Sequence, residues 1–171
     1  MWEEVVAPPR TQHDARDFRS ALGCFPTGVC LVTALASDAR RHGMTINSFS
    51  SVSLEPPMVL WSLSRNATSA PVFRDAEYFA INVLAAGDGA LASQFATPGA
   101  DKFAACHGRF TAGLGGAPVL AGALASFECH SRHRYYGGDH IVLIGVVERY
   151  AHAQGAPLTF HRGRYAAIAA G

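Results

Sequence analysis

The sequence is poor in charge. Only 16% of its 171 residues are Asp, Glu, Lys or Arg, and the formal net charge is +1. It has no run of Lys or Arg that could neutralise successive phosphates, so the composition argues against a dedicated nucleic-acid binder. The apolar residue types make up 49%, which indicates one domain with a sizeable core and further surface buried in a subunit interface.

A disulfide framework and a targeting signal are also missing. The four cysteines, at positions 24, 30, 106 and 129, form no C-x-x-C pair, and this scatter favours reduced thiols. The first residues lack the basic-then-apolar pattern of a leader, and no apolar run approaches membrane-spanning length. We therefore expect a cytoplasmic protein with neither a membrane nor a nucleic acid as partner.

Most catalytic signatures are absent as well. The sequence contains no H-E-x-x-H, no G-x-S-x-G and no P-loop, and no G-x-G-x-x-G lies between a strand and a helix. Cys129, His130, His133 and His140 are near one another in sequence, but their spacing matches no zinc signature. On a strand, Cys129 and His133 would also point away from His130. We expect no metal site.

What the sequence does contain is a series of short apolar runs separated by Gly and Pro, typical of a mainly β chain. Residues 1–12 are predicted to be a flexible arm, and 13–171 one domain. About six strands, mostly joined by hairpins, predict a small closed or partly closed antiparallel barrel with helical insertions. The predicted strands are 29–36, 43–53, 58–63, 78–84, 124–136, 141–150 and a bent C-terminal run over 158–168. Short helices are predicted after Asp14, Ser69, Asp88 and Asp101.

Residues 43–53 stand out because six of the eleven are Thr, Asn or Ser. As one strand antiparallel to 29–36, the stretch would place Thr45, Asn47 and Ser51 on one face, and Ile46 with Ser48 on the other. Neither face is wholly apolar or wholly polar. Taken alone, the stretch fits a ligand groove and a solvent-facing edge strand equally well.

Two polar clusters lie in the C-terminal third. Residues 137–140 read Gly-Gly-Asp-His, in which the glycines allow a tight turn close to a ligand and the last two residues offer a carboxylate and an imidazole. The same residues also fit an ordinary turn. Residues 161–165 read His-Arg-Gly-Arg-Tyr, in which Arg164 could bind a phosphate or carboxylate and Tyr165 could cover a flat ligand.

In their order along the chain, these motifs resemble the flavin reductase-like family, the short-chain NAD(P)H:flavin oxidoreductases that serve two-component monooxygenases. The resemblance covers roughly residues 15–168. It implies a six-stranded antiparallel split barrel of Greek-key topology that binds FMN, with flavin held between barrel and helical insert, in a homodimer. The residues that carry it are Phe25-Pro26-Thr27-Gly28-Val29, Gly43-Met44-Thr45 through Ser53 with Pro56-Pro57, Phe79 through Leu84, Asp101-Lys102-Phe103, Gly138-Asp139-His140 and Arg164-Tyr165.

The resemblance also implies the site residues. A catalytic role falls to His140, which would orient the nicotinamide. In place of an aromatic residue that often follows Lys102-Phe103 in the family, this chain has Ala105-Cys106-His107. Flavin contacts are implied for Thr45, Ile46, Asn47, Ser48, Ser50, Ser51, Ser62, Leu63, Ser64, Ser69, Asn82, Val83, Leu84, Lys102 and Phe103, and nicotinamide contacts for Gly138, Asp139, His140, Arg164 and Tyr165.

The implied reaction is hydride transfer from nicotinamide C4 to flavin N5, in which the protein supplies orientation and electrostatics. The implied cofactors are FMN or FAD with NADH or NADPH, and reduced flavin would diffuse to a partner monooxygenase. The lack of a basic cluster suited to a 2′-phosphate favours NADH. Three alternatives stay open: a reductase that keeps its flavin tightly bound and reduces a corrinoid or metal complex, a non-catalytic flavin-binding module, and a barrel for another apolar ligand.

Overall fold

A computed structural model of the chain describes residues 14–99 and 101–168, so the arm predicted over 1–12 lies outside the described residues. The helices are α1 (Ala15–Leu22), α2 (Ala70–Asp75) and α3 (Gly89–Ala96). The strands are β1 (Thr27–Gly28), β2 (Cys30–Leu35), β3 (Arg41–Ile46), β4 (Ser50–Leu54), β5 (Pro57–Ser64), β6 (Tyr78–Val83), β7 (Phe110–Ala112), β8 (Pro118–Leu120), β9 (Ala125–Gly137), β10 (His140–His152), β11 (Leu158–His161) and β12 (Arg164–Ala167).

Most of the strands form one antiparallel sheet in the order β3-β2-β6-β9-β10-β5-β4. Its centre is the long hairpin β9–β10, on which buried residues alternate, as at Ile141 and Leu143. Two smaller sheets, β1-β11-β12 and β7-β8, accompany it. The prediction of a mainly β, antiparallel chain with few helices is confirmed.

The predicted single strand over 43–53 is wrong, because it forms two strands at opposite edges of the sheet. β3 pairs with β2 and β4 pairs with β5, and Asn47-Ser48-Phe49 join them. At this break the Ser48 hydroxyl accepts a hydrogen bond from the Ser62 N–H at 3.0 Å and donates to the Ser62 carbonyl at 3.3 Å. Here the Ser48 side chain occupies the Ser62 backbone groups, which interrupts the regular backbone hydrogen bonding between strands. The sheet therefore has seven strands rather than six.

This short connection forces the sheet to curl. From Ile46 to Ser50 an extended chain spans at most about 15 Å, whereas seven flat strands would separate the two edges by about 29 Å. The edges must therefore approach each other. Within the residues that the structure describes, no ladder joins β3 to β4, so the barrel is open between them, as expected for a split barrel.

Apolar side chains pack on both sides of the curled sheet. One cluster contains Trp61, with Phe73 and Phe79 edge-on to its ring at centroid distances of 5.3 and 6.0 Å. The other contains Phe95 and Phe103, whose rings meet at 5.0 Å and 89°. The second cluster packs under α3 and supports the surface where β3 begins.

Local signals place most helix starts correctly. The Asp14 carboxylate accepts from the Arg16 N–H at 2.8 Å and caps α1, α2 begins after Ser69 with Pro71 in its first turn, and α3 begins after Asp88. The helix predicted after Asp101 is wrong. Its carboxylate accepts from the Phe103 N–H at 3.0 Å, but successive turns follow.

The C-terminal run is a hairpin rather than one bent strand, because β11 pairs with β12. Arg162 and Gly163, at the turn, have φ of 47° and 78°, the signs that a tight two-residue hairpin turn requires. The pair β7–β8, for which the sequence pattern predicted no strands, forms a second short hairpin. Among the described residues, no helix is long and apolar enough to cross a bilayer.

Candidate functional site

Three of the predicted ligand-binding segments meet at the C-terminal end of β5. Ser48, from the break between β3 and β4, is hydrogen-bonded to the backbone of Ser62. Two residues further on, Ser64 lies opposite His140 in the β5–β10 ladder. The fold thus brings the predicted flavin strand and the predicted nicotinamide hairpin to the same end of one strand.

Backbone and side-chain contacts fix the tip of the β9–β10 hairpin. The His140 Nδ1 atom lies 2.7 Å from an Asp139 carboxylate oxygen, and this contact holds the pKa of the Asp139 carboxyl below its usual value. Arg65 was not predicted as a site residue, yet its N–H donates to the Asp139 carbonyl at 3.0 Å and its guanidinium to the Gly138 carbonyl at 3.4 Å. Gly138 has a φ of 64°, a conformation that favours glycine.

A basic cleft of about 590 Å³ lies beside the start of β3. Three of the predicted flavin residues, Ser69, Lys102 and Phe103, line it. Sequence reasoning did not assign the remaining lining residues to a ligand site, because they come from separate segments of the chain that only the fold brings together. The other lining residues are Ala39, Arg40, Arg41, His42, Gly43, Thr68, Gly99 and Asp101.

Two backbone carbonyls hold the Lys102 ammonium in this cleft. Its ammonium donates to the Phe95 carbonyl at 2.7 Å and to the Gly43 carbonyl at 3.4 Å. Partial burial lowers the pKa of Lys102, since desolvation disfavours the charged form. The Arg41 guanidinium lies 4.8 Å above the Phe103 ring. The cleft therefore presents positive charge on an aromatic floor, which suits a phosphate or another anion.

Several predicted flavin residues do not open to this cleft through their side chains. Ile46, Leu63 and Leu84 belong to the two apolar clusters and are 6% exposed or less, and Val83 is half-buried. Any ligand contact by the first three would have to use their backbone groups.

Asn82 is fully buried and has its own protein partners. Its amide nitrogen donates to the Leu31 carbonyl at 3.2 Å and to the Thr33 hydroxyl at 3.4 Å, while its oxygen accepts from the Leu120 N–H at 2.8 Å. These bonds join β6 to β2 and β8. The geometry gives this side chain a structural role.

The polar residues around the β3–β4 break differ in what they can still bind. The Thr45 hydroxyl donates to the Ala92 carbonyl at 2.6 Å and so ties β3 to α3. Asn47, Ser50 and Ser51 are exposed. The Ser50 hydroxyl donates to the Ser51 carbonyl at 3.3 Å and can still accept a hydrogen bond from a ligand, as can the Asn47 amide and the Ser51 hydroxyl.

Arg164 and Tyr165 lie on the other sheet. Tyr165 packs edge-on against Phe160, with ring centroids 5.7 Å apart, and Arg164 is exposed at the start of β12. In the part of the chain that the structure describes, no hydrogen bond or ring contact joins either residue to the β9–β10 hairpin. Their predicted nicotinamide contacts stay a prediction.

Comparison with known proteins places these features in context. The sequence model of the flavin reductase-like domain family matches residues 22–169. The chain is 42% identical over 158 residues to the NADH-dependent FMN reductase SmoA of Agrobacterium fabrum, covering 89% of this chain and 85% of SmoA.

Solved structures agree with the sequence match. The NADH:FAD oxidoreductase SgcE6 of Streptomyces globisporus, in complex with NAD and FAD fragments, superposes with a TM-score of 0.86 at 36% identity, covering 95% of this chain and 98% of SgcE6. The styrene monooxygenase flavin reductase of Pseudomonas putida superposes with a TM-score of 0.80 at 30% identity, covering 90% and 99%.

Proposed function

This chain belongs to the flavin reductase-like family, and we propose that it oxidises NADH and reduces FMN or FAD for a partner monooxygenase. SmoA is an NADH-dependent FMN reductase, and the SgcE6 structure holds NAD and FAD fragments. These relatives support NADH as the reductant and both flavins as acceptors.

The observation that carries the proposal is the meeting of three segments at the end of β5. Ser62 binds Ser48 from the β3–β4 break, and Ser64 faces His140 from the β9–β10 hairpin. Hydride transfer requires the two ring systems to lie in contact with their reacting atoms aligned. A fold that places the implied flavin residues and the implied nicotinamide residues side by side meets that requirement.

The residues present also fit a flavin. Exposed amide and hydroxyl groups at Asn47, Ser50 and Ser51 suit the polar edge of the ring and the hydroxylated chain. Ser69 and Lys102 in the basic cleft suit the phosphate. Bound flavin would accept a hydride at N5, so this chain needs no nucleophile of its own.

His140 and Asp139 are proposed to orient the reductant. The carboxylate at 2.7 Å fixes the imidazole, and Arg65 holds the hairpin tip against the end of β5 through two carbonyls. With Nδ1 donating to the carboxylate, Nε2 of the neutral imidazole can accept a hydrogen bond from the nicotinamide carboxamide N–H without moving, and the doubly protonated ring can donate one to a phosphate. Arg164 and Tyr165 are proposed to close over the dinucleotide.

A homodimer and a cytoplasmic location complete the proposal. β4 is an edge strand that exposes Val52 and Leu54, the latter at 89%, and an apolar edge of this kind is usually covered by another chain. NADH is generated in the cytoplasm, where the reaction would find its reductant. The styrene monooxygenase reductase illustrates the kind of oxygenase that would receive reduced flavin.

Anaerobic titration tests the reaction. NADH is added to the protein with FMN or FAD, and the oxidised-flavin absorbance is followed, with NADPH as the comparison. We expect bleaching by NADH with either flavin and a weaker response to NADPH. Failure of both flavins to promote NADH oxidation would overturn the proposal. Yellow colour that survives extensive dialysis would instead favour a tightly bound flavin that reduces another acceptor.

A further inference from the structure

A second cleft lies between α1 and the β11–β12 turn. None of its lining residues belongs to the flavin or nicotinamide sites described above. The cleft measures about 620 Å³, within the usual size range of small-molecule sites. Its lining contains three arginines, Arg16, Arg19 and Arg162, against one carboxylate, Asp17. The other lining residues are Ser20, Ala21, Gly23, Cys24 and Gly163.

Among the described residues, no hydrogen bond or ion pair occupies the guanidinium groups of Arg16 and Arg19. The ion pairs found in residues 14–99 and 101–168 use other arginines, at positions 40, 74, 109 and 149. Arg16 and Arg19 are three residues apart on α1 and therefore project from neighbouring positions of one helix face. Two such groups can bind adjacent oxygens of a phosphate or diphosphate.

The third arginine is fixed by the backbone rather than by a carboxylate. The Arg162 N–H donates to the Gly23 carbonyl at 3.0 Å, which seats the β11–β12 turn on the end of α1. Arg162 has a φ of 47°, a conformation in which glycine or asparagine would be less strained. Its guanidinium lies 3.9 Å from the Cys24 sulfur, inside the cleft. The turn therefore holds the Arg162 guanidinium in the cleft, although the backbone conformation at this position favours glycine or asparagine.

We propose that this cleft binds the diphosphate group of NADH, a group that FMN lacks. The proposal rests on the proposed function, because that function makes NADH the dinucleotide at hand and assigns the flavin phosphate to the basic cleft beside β3. Three guanidiniums and one carboxylate give the cleft a net charge that complements the two negative charges of a dinucleotide diphosphate. The turn also leads directly into Arg164 and Tyr165, the residues proposed to close over the dinucleotide.

Cys24 provides a direct reporter of occupancy. Of the four cysteines it alone is exposed, while Cys30, Cys106 and Cys129 are buried. Burial also raises the pKa of the Cys30 and Cys129 thiols to about 12, which keeps them unreactive in the folded protein. A neutral reagent such as iodoacetamide should alkylate Cys24 selectively, without itself competing for the arginines.

The first measurement is the rate of Cys24 alkylation against the concentration of inorganic pyrophosphate, read by mass spectrometry without flavin or NADH. We expect pyrophosphate to slow alkylation, and added NaCl to weaken this protection because salt screens exposed charges. The double variant Arg16→Gln/Arg19→Gln should weaken the protection constant about tenfold. Arg132→Gln removes an exposed arginine on β9 and serves as the matched control. In this variant pyrophosphate should protect Cys24 as well as it does in the unaltered protein. The proposed site is overturned if pyrophosphate does not slow Cys24 alkylation, or if Arg132→Gln weakens the protection as much as the double variant does.

The second measurement identifies the source of the diphosphate. With FMN as acceptor, a rise in the NADH KM of the double variant assigns the cleft to NADH. A rise in the KM for FAD but not in the KM for FMN would place the FAD diphosphate here and overturn the assignment to NADH. Pyrophosphate protection with neither change overturns the dinucleotide assignment. Because the alkylation assay needs no turnover, a protein that binds pyrophosphate but reduces no flavin would contradict the proposed function alone.

Discussion

Substituting Gly43 by Ala should show whether the basic cleft is the flavin site. Gly43 lies on β3 with its carbonyl accepting from Lys102. A Cβ atom there would come within 2.6 Å of Phe95 Cε1 and 3.2 Å of Phe103 Cζ, whereas carbon atoms pack at about 3.5–4.0 Å. Both rings are almost completely buried. The Phe95 and Phe103 rings must therefore shift. Because the Lys102 ammonium donates to the Phe95 carbonyl, we expect a displacement of Phe95 to move Lys102 as well.

The size of the effect follows from this geometry. Overpacking of this kind costs about 1–3 kcal/mol, which for a chain of this length lowers Tm by about 2–12 °C. If Lys102 holds the flavin phosphate, displacing its ammonium should also weaken FMN binding about tenfold. Thermal unfolding followed by circular dichroism measures the first effect, and quenching of FMN fluorescence on titration measures the second.

Two other glycines supply matched controls. At Gly145 a Cβ atom would lie 2.6 Å from Phe79 Cζ and 2.8 Å from Cys129 Cβ, so Gly145→Ala should lose similar stability without a comparable change in FMN affinity. At Gly28 it would meet nothing within 4 Å, so Gly28→Ala should leave Tm nearly unchanged. A destabilised Gly43→Ala protein that binds FMN normally would refute the assignment of the flavin phosphate to this cleft.

Four further predictions concern other parts of the molecule. His140→Ala should raise the NADH KM more than the flavin KM in steady-state assays, and the reverse order would contradict its proposed role. Asn82→Ala leaves the buried Leu120 N–H without its acceptor, so unfolding should become easier by about 1–3 kcal/mol in urea titrations; an unchanged midpoint would refute this. Leu54→Glu should shift the protein from dimer to monomer in light scattering, whereas a monomeric parent would disprove the dimer. The depressed pKa of Lys102 means that its charged form costs stability in the folded state, and this cost is relieved as pH rises through that pKa. The parent should therefore gain stability relative to Lys102→Met as pH rises toward the ordinary lysine pKa of about 10.4, and a loss of relative stability over that range would contradict the burial of the charged ammonium.

Local residue patterns were sufficient for much of the fold. The Asp14 cap and the pair Ser69 and Pro71 mark helix starts because capping depends on residues within one turn. The glycines before Asp139 mark a hairpin because a tight turn depends on the residues inside it. The order of motifs along the chain was enough to identify the family.

Other features depend on contacts between residues far apart in sequence. Alternation along 43–53 could not show that the stretch divides between two sheet edges, because the break depends on Ser48 bonding to Ser62. Asn82 is polar in sequence, and only its partners on β2 and β8 show that it serves the core.

The sequence by itself determined that the chain is mainly β, most of its strands and its family, because each of these follows from neighbouring residues and their order. Only the tertiary structure decided which polar groups remain free for a ligand. A hydroxyl, amide or guanidinium is available only if no distant backbone group has already bound it, and local spacing carries no information about such distant partners. That is why Arg65, the basic cleft beside β3 and the arginine cleft at α1 emerged only from the folded chain.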